Sequence, residues 1–161
     1  RPRFLTVCSP GMEKLFDKYG HLLRWKYQPE LDDFIAHGGK MILFTSWNDM
    51  SISPWQIISQ YQGYVKKYGQ EQVDRFLKFY CMPSATHCSG IFMDYLEWLD
   101  TWCTTGIYPS ETLYGKIAET GGEMPMAEFP GWVRYTGGDP KAGTSYEISY
   151  EIPEGFFEEF A

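Results

Sequence analysis

The sequence predicts an α/β fold built on parallel strands, and three observations carry that expectation. Met41 to Phe44 and Phe76 to Met82 are continuous apolar runs, the pattern of strands buried on both faces. Between them lies a helix-like stretch opened by Ser53-Pro54-Trp55-Gln56 and closed by Gly69. A second helical stretch, Ile91 to Cys103, follows the second run. Strand, helix, strand, helix with short connections is the order that produces parallel pairs.

Residues 1 to 11 hold a short apolar run, Phe4 to Val7, and then Cys8-Ser9-Pro10-Gly11. From Met12 to Tyr27, Leu15, Phe16, Tyr19, Leu22 and Leu23 recur at helical spacing, weakened by Gly20. Pro29 opens a short helical piece with Leu31, Phe34 and Ile35 on one face, ended by Gly38-Gly39. In the first long helix Ile58, Tyr61, Val65 and Tyr68 form the expected inward stripe. In the second, Tyr95, Leu96, Leu99 and Trp102 face inward and Gly106 follows the end. After Pro109 Gly, Pro and aromatic residues alternate, so the pattern predicts an irregular tail with one edge strand in SYEISYEI.

The length of 161 residues suits one domain, and 43% hydrophobic residues suffice for a packed core. A net charge of -7 argues against nucleic acid, whose phosphates need clustered Lys and Arg. No apolar run approaches the roughly 18 residues of a membrane span. The first residues show no signal-peptide core, so the chain is expected to be intracellular, or to have lost a leader, or to begin within a longer gene product. Cys8, Cys81, Cys88 and Cys103 form no CxxC pair, so no metal and no cofactor is expected; they read as buried thiols or disulfides.

The chemistry lies in the two loops that follow the predicted strands. The first carries Asp49 and the second His87. Loops at the C-terminal ends of neighbouring parallel strands converge, and α/β-hydrolases place the acid and base of a Ser-Asp-His triad in this order. A histidine acts as general base when a carboxylate fixes its tautomer and balances its developing charge. The bland alternative has Asp49 merely shaping the turn before Ser53-Pro54, and His87 as an ordinary loop residue. His21 and His37 carry no motif and read as structural or surface residues.

ELDDFIAHGGKMILFTSWNDMSISPW, MPSATHCSG and MPMAEFPGWVRYTGGD resemble, in register from about Glu30 to Asp139, segments of the tannase and feruloyl esterase family. The resemblance implies an α/β-hydrolase that cleaves esters of phenolic acids and is secreted. It implies Asp49 as triad acid, His87 as base, and Cys88 in a disulfide to the cysteine beside the nucleophilic serine. Three departures stand out. Thr45-Ser46 replaces the family's His-Gly, Ser84-Ala85-Thr86 precedes the histidine where the family has Gly-Met, and Ala127 stands at a late cysteine. One family disulfide is therefore expected to be missing, and the walls of the site to differ.

The nucleophile should precede the acid in the chain. Cys8-Ser9 is one candidate, with Cys8 then the partner of Cys88. Against it, Val7 stands where a strained elbow wants a small residue, and few strands can precede it. The alternative places the serine on an upstream polypeptide, possibly disulfide-linked. The fold expectation is then the C-terminal part of an α/β-hydrolase sheet, its last two parallel strands with their helices, plus an irregular tail. Residues 1–29 would be a linker or the end of a lid, 30–108 the sheet portion, and 109–161 an extension packed on it. The function expected is that of a serine carboxylic ester hydrolase; the alternative is a non-catalytic α/β binding or assembly subunit.

Overall fold

The computed structural model describes residues 31–83, 86–87, 90–109, 112–118 and 120–152. Helix α1 (Leu31–Ala36) leads into strand β1 (Met41–Ser46). Helices α2 (Pro54–Tyr68) and α3 (Gln70–Phe76) then return the chain to strand β2 (Leu77–Met82). β1 and β2 pair in parallel, Met41 opposite Leu77 through Ser46 opposite Met82. The crossover places α2 and α3 over one face of the pair, as a parallel connection requires.

The pleat of β2 decides how the core divides. Leu77, Phe79 and Cys81 point into a cluster with Leu31, Ile58, Tyr61, Val73 and Phe76. Tyr80 and Met82 point the other way, onto Trp98 and Met126. Successive residues of one strand thus anchor two cores, and β2 is buried almost throughout. Phe79, Tyr61 and Phe129 stack with ring centroids 5.1–5.6 Å apart, holding the segment before the final hairpin on the first core. On the second face Lys78 Nζ pairs with Glu128 Oε1 at 3.1 Å, and the Tyr80 and Tyr108 hydroxyls share a 2.6 Å hydrogen bond.

β1 departs from the expected doubly buried strand. Its first three residues are half-buried and Phe44 is 44% exposed, because no described strand pairs with its outer edge and its second face is only partly covered. The α2 start is where the sequence places it, with Pro54 in the first turn, yet the Ser53 side chain makes no capping hydrogen bond. The inward stripe is Ile57, Ile58, Tyr61 and Tyr64; Val65 and Tyr68 are only partly buried. α3 was not anticipated: it takes the residues before β2, so the strand starts at Leu77 rather than Phe76. Gly69 separates α2 from α3 with φ of 80°, a conformation that Gly adopts without penalty.

The second long helix is also shorter than the pattern suggested. Ile91–Phe92 form strand β3, and helix α4 spans Tyr95–Thr105. Asp94 starts it by accepting from Glu97 N at 3.3 Å. Its buried residues are Trp98 and Trp102, whereas Tyr95 and Leu96 are exposed, a shift of the inward face. The residues after Pro109 are not an irregular tail. Strands β4 (Tyr114–Ile117) and β5 (Glu123–Pro125) join β3 in an antiparallel sheet. Strands β6 (Trp132–Tyr135) and β7 (Tyr146–Ser149) form an antiparallel pair with full register. The expected strand in the tail is β7, and its partner lies in the glycine-rich stretch read as loop.

Cys81 is a buried thiol, as expected, and burial pushes its pKa up to about 12. Cys103 is exposed on α4, which corrects the expectation of a buried thiol: it lies outside the Trp98–Trp102 face. Ser9, Cys8, His21, Cys88 and the helix expected over 12–27 lie outside the described residues.

Candidate active site

The two loops leave the same end of the parallel pair, because β1 and β2 run side by side and in the same direction. Trp47 N donates to Met82 O at 3.1 Å, fastening one exit to the other. The Trp47 ring meets Trp55 edge-on at 5.6 Å, so the loop is held against the start of α2. Within this loop Asp49 turns back on the chain. Its Oδ1 accepts from Ser51 N at 2.8 Å and from Ile52 N at 2.9 Å.

That turn leaves Oδ2 available, and His87 Nδ1 lies 3.0 Å from it. The two residues expected to converge are therefore in hydrogen-bond contact across 38 positions of chain. The bland reading of Asp49 is also true in part, since the same carboxylate shapes the turn before α2. One oxygen serves the turn and the other serves the histidine. Asp49 is largely shielded, with 12% side-chain exposure, while His87 is 46% exposed.

The Ile52 amide, and then the His87 contact, hold the Asp49 carboxyl below its ordinary pKa. An ionised carboxylate only accepts, so the shared proton resides on Nδ1 of His87. Neutral His87 then presents Nε2 as the basic nitrogen, on the edge of the ring away from Asp49. This arrangement can take a proton from a hydroxyl and stabilise the resulting imidazolium.

An open cleft of about 370 Å³ lies beside the pair. Thr45 and Ser46, where the sequence departs from the resembled pattern, are buried and line it. Its other walls include Phe44, Ile52, Phe92 and Tyr95, all of them substantially exposed. Phe44 and Tyr95 lean together with centroids 5.7 Å apart. Sequence reasoning missed these wall residues. The helical period runs Phe92 and Tyr95 together into one long helix, although Asp94 and Glu97, spaced as cap and third helical residue, signal a helix start between them. His37 stands apart, with Nδ1 2.7 Å from Asp33 O at the end of α1.

Among the described residues no group of three or more His, Cys, Asp or Glu is placed to hold a metal. No described helix is long and apolar enough to cross a membrane.

Residues 20–149 match the family described as tannase and feruloyl esterase. An uncharacterised esterase of Agrobacterium fabrum is 31% identical over 123 residues, covering 72% of this chain and 22% of that protein. An esterase from Aspergillus oryzae superposes with a TM-score of 0.66 at 19% identity, over 76% of this chain and 30% of the other. A tannin acyl hydrolase from Aspergillus niger gives 0.64 at 22% identity, over 87% and 28%. The chain thus spans between a fifth and a third of the length of these relatives.

Proposed function

The chain belongs to the tannase and feruloyl esterase family, and we propose that it supplies the acid and base of a serine carboxylic ester hydrolase acting on phenolic esters. The observation that carries this reading is the contact between His87 Nδ1 and Asp49 Oδ2, both of which line an open cleft. His87 takes the proton of a serine hydroxyl through Nε2, the serine oxygen attacks the ester carbonyl, and Asp49 stabilises the imidazolium; the adduct then breaks its bond to the alkoxy oxygen, which leaves as the alcohol with the proton from His87. Water then repeats the sequence on the acyl-enzyme.

The nucleophile belongs to an upstream polypeptide, and this chain is the C-terminal portion of the enzyme. The support is the short share of each relative that the chain spans, together with an outer edge of β1 that no described strand pairs. Cys88 is disulfide-bonded to the cysteine beside that serine, which is Cys8 if Ser9 is the nucleophile and lies outside residues 1–161 otherwise. By the same kinship the enzyme is secreted.

The test uses the native protein that contains this chain and the methyl ester of a phenolic acid. His87→Ala should abolish turnover while Ser9→Ala should leave it. Non-reducing peptide mapping should find Cys88 oxidised. Turnover that survives His87→Ala would return the chain to a binding or assembly role, and turnover lost in Ser9→Ala would make Ser9 the nucleophile.

A further inference from the structure

The walls of the cleft have no assigned task. Phe44 closes the C-terminal part of β1 on its thinly covered face, Tyr95 opens α4, and the two rings form one aromatic corner. Phe92 of β3 and Ile52 of the Asp49 loop extend the apolar surface around the same cleft. Four exposed apolar side chains line one cleft with His87, and exposed apolar patches mark recognition sites.

Which half of an ester meets them follows from the order of proton transfers, given the reading above on which this inference rests. When the tetrahedral adduct collapses, the bond between the acyl carbon and the alkoxy oxygen breaks. The electron pair goes to that oxygen, and His87 Nε2 returns to it the proton taken from the serine. The alkoxy oxygen must therefore lie against His87, whereas the acyl carbon stays bonded to the serine. The group attached to the alkoxy oxygen is the part of the substrate nearest to the walls that surround His87.

We infer that Phe44 and Tyr95, with Ile52 and Phe92 beside them, bind the alcohol half of the ester and select apolar or aromatic alcohols over polyols. Both rings line the same cleft as the imidazole and bring to it one hydrogen-bonding group, the Tyr95 hydroxyl. A polyol brought against such a surface gives up water without replacing its hydrogen bonds. An aryl or alkyl alcohol gains by burial against the same rings.

The experiment compares two series of esters on the native protein. One holds the acyl group as benzoate and varies the alcohol through methyl, benzyl and glyceryl. The other holds methanol and varies the acyl group. Phe44→Ser and Tyr95→Ser should each lower the benzyl-to-glyceryl ratio of kcat/KM by about tenfold, the scale at which apolar walls discriminate. Phe44→Leu should restore part of it, and ratios within the acyl series should hold. An unchanged benzyl-to-glyceryl ratio in both Ser variants overturns the inference, as does a change in the acyl series alone. Loss of assembly with an unmoved ratio would overturn it too, because the patch would then be a contact with the rest of the enzyme. The His87→Ala control separates the two levels: if that variant retains activity, the catalytic reading fails, and if it is dead while the ratios stay put, only the alcohol assignment fails.

Discussion

At the scale of the residue, one carboxylate does two jobs with two oxygens. Oδ1 of Asp49 is committed to the Ser51 and Ile52 amides, which orients Oδ2 toward His87. Asp49→Asn should keep the turn, because its side-chain oxygen can still accept from the amides. Its NH2 group would then face His87 and favour the wrong tautomer. Turnover should fall by about three to four orders of magnitude with an unchanged circular dichroism spectrum.

The depressed pKa of Asp49 also makes a statement about stability. A carboxylate whose folded pKa lies below its unfolded value stabilises the fold fully above the unfolded value, near about 3.9. That contribution is lost as pH falls through the lower folded value. The stability difference between wild type and Asp49→Asn should therefore be largest above about pH 5 and shrink toward pH 3, as measured by urea unfolding across that range. A difference that grows on acidification would contradict the geometry described for Oδ1.

At the scale of the element, two helices start differently although both carry capping sequences. Asp94 uses its side chain to accept from Glu97 N, whereas Ser53 leaves its side chain out of the cap. Asp94→Ala should cost about 1 kcal/mol in unfolding free energy, and Ser53→Ala should stay within about 0.5 kcal/mol. β2 offers a sharper contrast. Phe79 is 1% exposed and stacks on Tyr61 and Phe129, so Phe79→Ala should cost about 3–5 kcal/mol. The cysteines report the same architecture: a thiol reagent should label Cys103 on the native protein within minutes and reach Cys81 only on unfolding.

At the scale of the whole molecule, the second face is less complete than the first. α1, α2 and α3 cover one side of the β1–β2 pair, but on the other side Leu96 is 67% exposed, and no described strand pairs with the outer edge of β1. A strand edge left without a partner among the described residues favours association. The chain expressed alone should elute above its monomer mass of 18.7 kDa, and co-expression with the upstream polypeptide proposed above should restore a defined species. A soluble monomer would show that this edge needs no partner.

The elements that sequence alone determined are those set by local chemistry. The β1 run, the Pro54 start, the glycine ends at 69 and 106, and the two loops bearing Asp49 and His87 all follow from side-chain period and turn residues. Their meeting was foreseeable because parallel neighbours deliver their exit loops to one edge. What only the tertiary structure decided depends on partners distant in the chain. Ile91–Phe92 are a strand because Ile117 and Lys116 pair with them, and the glycine-rich stretch after residue 130 is a strand because Tyr146–Ser149 lies opposite. Burial of Trp98 rather than Leu96 likewise depends on where Tyr80 and Met82 stand. Non-local pairing leaves no periodic trace in a short segment, whereas caps, turns and apolar runs are written within a few residues of where they act.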